Sequence, residues 1–377
     1  MGKRQQLFTL HLVPRRKRRR RGVAYSLAGL ALAGALGWIV WQAGDTGEGK
    51  IRAVPPVRKA EPAGKASSGA RPASAAGAPR AARPAPNLPS RSGARPVRDI
   101  LEAQIALDRI GISSGSIDGI SGGQTRTALE VFQREMNLPE TGQLDAATRQ
   151  ALPVAEPLVT TYTITTEDVA RLRPLGANWW AKSQQDRLDF ETLLEQVAEK
   201  AHAHPGLLRR LNPGMNWTNL AAGAALQVPR IDPLPVARAA RVVIRLSRRT
   251  LEAFDERGTL LAHFPCSIAQ RVDKRPVGEL HVTVVAPNPD YTFDPALFSE
   301  SPEARTIKTK LKLAPGPNNP VGTAWIGLDR PGYGLHGTPV PEAVGRTESH
   351  GCFRLANWNA ERLLKLAWAG MPVMVEP

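Results

Sequence analysis

Cys352 and His336 are the side chains whose types and neighbours could do covalent chemistry. They lie in Gly334-Leu335-His336-Gly337-Thr338-Pro339 and in Gly345-Arg346-Thr347-Glu348-Ser349-His350-Gly351-Cys352-Phe353-Arg354-Leu355. Glycines beside a thiol and two histidines imply a bent backbone on which side chains and amides converge. A free thiol with pKa about 8.5 is only a few per cent thiolate at neutral pH. A neighbouring imidazole can take its proton and hold the thiolate as an ion pair. Backbone N–H groups near Gly351 and Cys352 could then donate to an oxyanion. Three other readings fit the same residues. A cysteine in a β domain is ordinarily a small buried hydrophobe. His336, His350 and Cys352 have the right types for zinc, but no Cys-x-x-Cys or His-x-x-x-His pair and no fourth ligand accompany them. A disulfide from Cys266 to Cys352 would disable a nucleophile. Spacing alone leaves these alternatives open, although Cys266 lies on an apolar strand and reads as packed.

The elements that must position this chemistry belong to a multidomain α+β chain. From residue 240 to 377 short apolar or alternating runs (RVVIRLSRRTLEAFD, LLAHFPCSIA, GELHVTVVAPN) are separated by Gly and Pro. This predicts a mainly β domain closed by a short helix and a last strand. Upstream, residues 97–152 predict three short helices around a small core. Ile100, Leu101, Ile105, Leu107 and Ile110 mark the first, which ends at Gly111, and Ala128, Leu129 and Phe132 the second. Residues 158–230 read as strand, helix, Leu211-Asn212-Pro213 turn, helix, Gly223 turn and strand, interrupted by a polar insertion with Trp179 and Trp180.

Residues 42–96 are Ala, Pro, Gly, Ser and Arg with hardly an aliphatic side chain, which predicts a disordered tether. Residues 22–41 (GVAYSLAGLALAGALGWIVW) carry no charge and are long enough to span a bilayer. The basic segment 1–21, with its block from Arg15 to Arg21, would stay cytoplasmic and place the rest outside. A cleaved signal peptide is the alternative. Against it stand the length of the apolar run and the poor cleavage site Trp41-Gln42-Ala43. These features predict a single-pass inner-membrane protein with a periplasmic catalytic part. The formal net charge of +16 comes largely from the leading block and the tether, so it predicts no specific nucleic-acid partner.

The 240–377 segment resembles the L,D-transpeptidase catalytic domain of the YkuD family. The likeness rests on His336 followed by Ser349-His350-Gly351-Cys352-Phe353-Arg354. It extends through Pro276-Val277-Gly278, Asn288-Pro289, Asp294-Pro295-Ala296-Leu297, the run Pro315 to Gly322, Trp325 to Leu328, Asn357-Trp358 and Gly370-Met371-Pro372-Val373. The resemblance implies Cys352 as attacking thiolate and His336 as proton acceptor and later donor. It implies Ser349, His350, Gly351 and Arg354 as groups that shape the pocket, the oxyanion turn or a substrate carboxylate, with no cofactor and no metal. The reaction implied is D-Ala release from a peptidoglycan tetrapeptide through a thioester, then transfer to an amine to form a 3→3 crosslink. Variants of the same chemistry would use water or a lipoprotein amine as acceptor. The alternative from another class is a non-catalytic wall-binding protein. Residues 97–152 resemble the peptidoglycan-binding domain 1 family through Ile117-Asp118-Gly119, Thr125 to Leu129, Phe132-Gln133, Leu138-Pro139 and Thr141-Gly142. Residues 158–230 resemble a degenerate LysM module, a glycan-binding fold, with a spacer packed on the catalytic domain as the alternative.

Overall fold

The amphipathic pattern that begins at Val97 is buried by strand β1 (Ala94–Pro96), helices α1 (Ile100–Asp108), α2 (Gly123–Glu135) and α3 (Ala146–Ala151), and strand β2 (Pro153–Ala155). The computed structural model describes residues 93–298, 302–347, 349 and 351–377. The basic segment, the apolar span 22–41 and nearly all of the 42–96 tether lie outside the described residues. Among the described residues no helix is long and apolar enough to cross a membrane. The side chain of Asp99 caps α1 by accepting from Glu102 N at 2.9 Å, and Asp145 caps α3 by accepting from Thr148 N at 2.8 Å. Two buried amides explain the glycine turns of the motif. Gln104 Oε1 accepts from Gly119 N at 2.7 Å, and Gln133 Oε1 accepts from Gly142 N at 2.8 Å. One boundary differs from the sequence expectation. Residues 94–96, assigned by composition to the tether, form β1 and pair antiparallel with β2. Arg95 holds them there through ion pairs to Glu102 (2.6 Å) and Glu156 (2.5 Å).

The next segment contains β3 (Val159–Thr163), α4 (Thr166–Ala170), α5 (Trp179–Ser183), α6 (Leu193–Lys200), α7 (Pro205–Leu211) and β4 (Ala225–Pro229), with β3 and β4 antiparallel. The Leu-Asn-Pro turn has a clear purpose. Asn212 accepts from Gln227 N (2.7 Å) and donates to Gln227 O (2.8 Å), which ties the end of α7 to β4.

The C-terminal segment contains β5 (Arg241–Arg245), β6 (Thr250–Phe254), β7 (Leu260–Pro265), β8 (Gly278–Pro287), β9 (Tyr291–Phe293), α8 (Pro302–Thr306), β10 (Leu311–Leu313), β11 (Ala324–Leu328), β12 (Gly334–His336), β13 (Phe353–Arg354), α9 (Asn357–Leu366) and β14 (Pro372–Glu376). Eight strands form one sheet in the order β13-β12-β11-β8-β14-β5-β6-β7, while β9 and β10 form a separate hairpin. Just after β7, Ser267 bridges back to Arg354, with N–H···O bonds of 2.9 and 3.0 Å in the two directions. This joins the first and last strands of the order and satisfies backbone groups an open edge would leave unpaired. The core is Val242, Ile244, Leu251, Ile326, Leu335, Phe353 and the inner face of α9.

The three segments are packed together rather than strung in line. Val243, Phe254 and Leu260 of the sheet share a core with Ala106, Leu107, Leu129 and Phe132. Arg134 reaches the buried Glu252 at 2.9 Å, and that carboxylate also meets Arg245 at 2.5 Å. From the middle segment, Glu199 accepts from Asn357 Nδ2 at 3.0 and 3.1 Å. Burial pushes the Glu199 carboxyl up to about 8, opposed by that hydrogen bond and reinforced by Glu361, Glu195 and Glu342. A carboxyl raised on folding contributes stability that is present below its unfolded value and lost as pH rises through about 8. Glu199→Gln should therefore match wild type in denaturant midpoint at about pH 4 and exceed it at about pH 9, by up to roughly 4 kcal/mol. Equal pH slopes for the two proteins would refute this.

Candidate active site

β12 and β13 run parallel, with Leu335 opposite Phe353 and His336 opposite Arg354. Because strand side chains alternate, Leu335 and Phe353 enter the core while His336, Arg354 and Cys352 lie on the other face. The two distant pieces of the motif are thus brought together by one short ladder.

His336 is buried, and Trp325 of β11 stacks on its ring at 5.7 Å. Its Nδ1 lies 2.6 Å from Gly337 O. A carbonyl can only accept, so Nδ1 carries the proton and Nε2 keeps a lone pair, as a base requires. Asn357 braces the loop behind this histidine. Its Oδ1 accepts from Thr338 N at 3.0 Å and from Thr323 N at 3.3 Å, and a Cβ at Gly337 would collide with it.

The Cys352 thiol donates to Gly332 O at 3.4 Å, in the turn between β11 and β12. Tyr333 of that turn covers Gly351 and donates its hydroxyl to Lys274 O at 3.0 Å. Ser349 is buried and shapes the loop from within. It donates from Oγ to Cys352 O at 2.5 Å and from N to Ile268 O at 2.8 Å. The Gly351 N–H, expected as an oxyanion donor, points to Ser349 Oγ at 3.3 Å. The backbone N–H of Gly334 is the group that hydrogen-bonds the sulfur and favours its thiolate. His350 lies outside the described residues. Cys266 is fully buried and unpaired, as is the partly accessible Cys352, so the two form no disulfide. Burial pushes the Cys266 thiol up to about 12.

Electrostatics correct one expectation. Burial drives the His336 imidazole down to about 4, and the positive charge of Arg354 adds to the effect. Burial also raises the Cys352 thiol, partly offset by Gly334 N–H and Arg354. The resting pair is therefore a neutral thiol and a neutral imidazole, not the ion pair that the residue types suggest.

Sequence reasoning missed Tyr291. Its phenol is raised by burial and by the Cys352 thiolate, while Arg354 lowers it, so these three groups share one field. The signal for it is a tyrosine opening a strand directly after the Asn288-Pro289 turn. Its hairpin is held by the insertion of the middle segment. Trp179 stacks on Phe293 at 4.3 Å and 12°, Trp179 N donates to Glu303 at 2.5 Å, and Leu188 N donates to Pro315 O at 3.0 Å.

These pKa directions predict how the thiol reacts. His336 is neutral above about pH 4, so it can accept a proton across the neutral range. Alkylation by iodoacetamide should climb between about pH 6 and pH 10 without a shoulder near the ordinary histidine value. Cys352→Ala should abolish it, because Cys266 is buried. A plateau beginning at about pH 7 would show a preformed ion pair and contradict the neutral resting state.

Residues 239–375 match the family model described as the L,D-transpeptidase catalytic domain, YkuD, and residues 97–152 match the one described as "Putative peptidoglycan binding domain". Among curated proteins, "Putative L,D-transpeptidase YkuD" of Bacillus licheniformis is 26% identical over 187 residues, which are 49% of this chain and 93% of that protein. "Putative L,D-transpeptidase YqjB" of Bacillus subtilis is 34% identical over 108 residues, 27% of this chain and 52% of that protein. Among solved structures, an L,D-transpeptidase from Mycobacterium smegmatis aligns with a TM-score of 0.30 and 18% identity, over 41% of this chain and 64% of that one. L,D-transpeptidase 3 from Mycobacterium tuberculosis aligns with a TM-score of 0.30 and 18% identity, over 42% and 77%. Residues 239–375 thus match an L,D-transpeptidase catalytic domain of the YkuD type, and residues 97–152 match a peptidoglycan-binding domain.

Proposed function

We propose that the chain is a cysteine L,D-transpeptidase that cleaves the terminal D-Ala from peptidoglycan tetrapeptide stems and transfers the remaining acyl group to an amine, forming 3→3 crosslinks. The observation that carries this reading is the β12–β13 ladder, which sets a base with a free Nε2 and a thiol on one face of the sheet. In the first half-reaction Cys352 Sγ bonds to the carbonyl carbon of the third stem residue as its proton passes to His336 Nε2. The C–N bond to D-Ala then breaks, and His336 returns the proton to the leaving amine. In the second half-reaction the acceptor amine attacks the thioester carbonyl and gives a proton to His336; the C–S bond breaks, and Sγ takes that proton back from His336, which restores the neutral thiol and imidazole.

Arg354 and Tyr291 line the same field as the sulfur and suit recognition of the stem carboxylate. Ser349 acts by holding the loop. Gly351 belongs to the turn that presents the thiol. Residues 97–152 would hold the wall polymer, and the LysM-like reading of residues 158–230 rests on its two outer strands, β3 and β4, which pair antiparallel with four helices, α4 to α7, between them. With the 22–41 span as an inner-membrane anchor, the tether would deliver a periplasmic nucleophile to an immobile substrate at high effective concentration.

Full-length protein in detergent should release D-Ala from tetrapeptide muropeptides, read by mass spectrometry. Cys352→Ala should lose about 10³-fold or more in rate and His336→Ala about 10²–10⁴-fold. Equal release by wild type and Cys352→Ala would end the enzymatic reading and leave a wall-binding protein. The products also identify the acceptor: amine, water or lipoprotein.

A further inference from the structure

Helix α9 opens on Asn357, a fully buried side chain that joins the thiol site to the middle segment. Its Oδ1 accepts from Thr338 N at 3.0 Å and from Thr323 N at 3.3 Å. Its Nδ2 donates to Pro317 O at 3.2 Å and to the carboxyl oxygens of Glu199, on α6, at 3.0 and 3.1 Å. The amide can face only one way. Reversal would set an NH2 group against two N–H groups, and an oxygen against a carbonyl and a carboxyl. A Cβ at Gly322 or at Gly337 would collide with Asn357 Oδ1, so these glycines let the backbone close around it.

The Thr338 N–H belongs to the same peptide group as Gly337 O, which accepts from His336 Nδ1 at 2.6 Å. One chain of donation therefore runs from the imidazole through this peptide and the Asn357 amide to Glu199. Both amides accept at oxygen and donate at nitrogen, so successive bonds polarise one another in the same sense. Such a chain holds the proton on Nδ1 and leaves the lone pair on Nε2. Burial raises the Glu199 carboxyl to about 8, so at neutral pH it is mostly the uncharged acid, and a glutamine would supply the same acceptor. One turn earlier on α6, Glu195 makes a comparable contact, accepting from Asn318 Nδ2 at 2.6 Å. Asn318 binds onward to Asp189 O at 3.1 Å and to Leu188 O at 3.0 Å, away from the histidine.

We propose that Glu199 is a positioning residue of the thiol site: as terminal acceptor of this chain it fixes the Asn357 amide, and through it the tautomer and ring orientation of His336. The middle segment thereby supplies a part of the site that the run of Gly, His and Cys does not contain. The proposal rests on His336 acting as the base in the reading above. Without the acceptor, the Asn357 amide loses the partner that opposes its rotation, and the Gly337–Thr338 peptide loses its anchor. The imidazole then samples the other tautomer, whose Nε2 carries the proton and cannot accept one from Cys352.

The test compares full-length wild type, Glu199→Met, Glu199→Gln and Glu195→Met in detergent near neutral pH. Histidine-selective nitrogen NMR reads the tautomer, with the His336 signal assigned by its loss in His336→Ala. Wild type and Glu199→Gln should show the Nδ1–H tautomer alone, and Glu199→Met a mixture of the two. In D-Ala release from tetrapeptide muropeptides, Glu199→Met should lower kcat about tenfold or more with KM within about twofold, and Glu199→Gln should restore it. Glu195→Met removes a comparable contact of the same helix and should leave both readouts at wild-type values. Glu199→Ala should behave as Glu199→Met, so the outcome does not depend on how methionine packs. The tautomer is read without turnover, so a protein that releases no D-Ala ends the transpeptidase reading and still decides the positioning role. The proposal is overturned if Glu199→Met and Glu199→Ala keep the single Nδ1–H tautomer, if their loss of activity lies in KM alone, if glutamine fails to restore the tautomer, or if Glu195→Met matches Glu199→Met.

Discussion

The parallel pairing of β12 with β13 is the constraint on which the site depends, because neither strand alone carries a reactive pair. His336 and Cys352 are separated by a loop that the strands must close, and two residue pairs of ladder do so. The ladder is short, and its neighbours hold it. Ser267 bridges Arg354 from beyond β7, Ser349 ties the loop to Ile268 and Cys352, and Asn357 pins the turn after His336. Each brace is a buried polar group with its hydrogen bonds made, which is what gives a loop one conformation instead of many.

Burial then sets the chemistry. Burial disfavours imidazolium at His336 and thiolate at Cys352 alike, so both side chains rest uncharged. Arg354 and the Gly334 amide are positioned to stabilise negative charge when it forms. The middle segment also packs against the elements around the site. Trp179 and Leu188 hold the hairpin that carries Tyr291, and Glu199 touches the asparagine that braces the base.

Cys352 and His336 stood out in the sequence because they lie in a compact run of Gly, His and Cys. The helical segment at 97–152 was legible from its apolar spacing and its caps, and Gln104 and Gln133 later explained the glycine turns. What the residues could not reveal depends on tertiary packing. Arg95 looked like one more tether arginine until Glu102 and Glu156 were seen to meet it. The raised Glu199, the neutral resting pair and the place of Tyr291 all arise from neighbours far away in sequence. Only the folded chain states how much water each group keeps.

The central claim is covalent: an acyl group resides on Cys352 between the two half-reactions. Rapid-quench intact-mass spectrometry with a tetrapeptide muropeptide measures it directly. The account predicts an adduct equal to the stem less D-Ala, mapped to the peptide containing Cys352 and removed by neutral hydroxylamine. Crosslinked product formed while Cys352 stays unmodified, or an adduct on another residue, would contradict it.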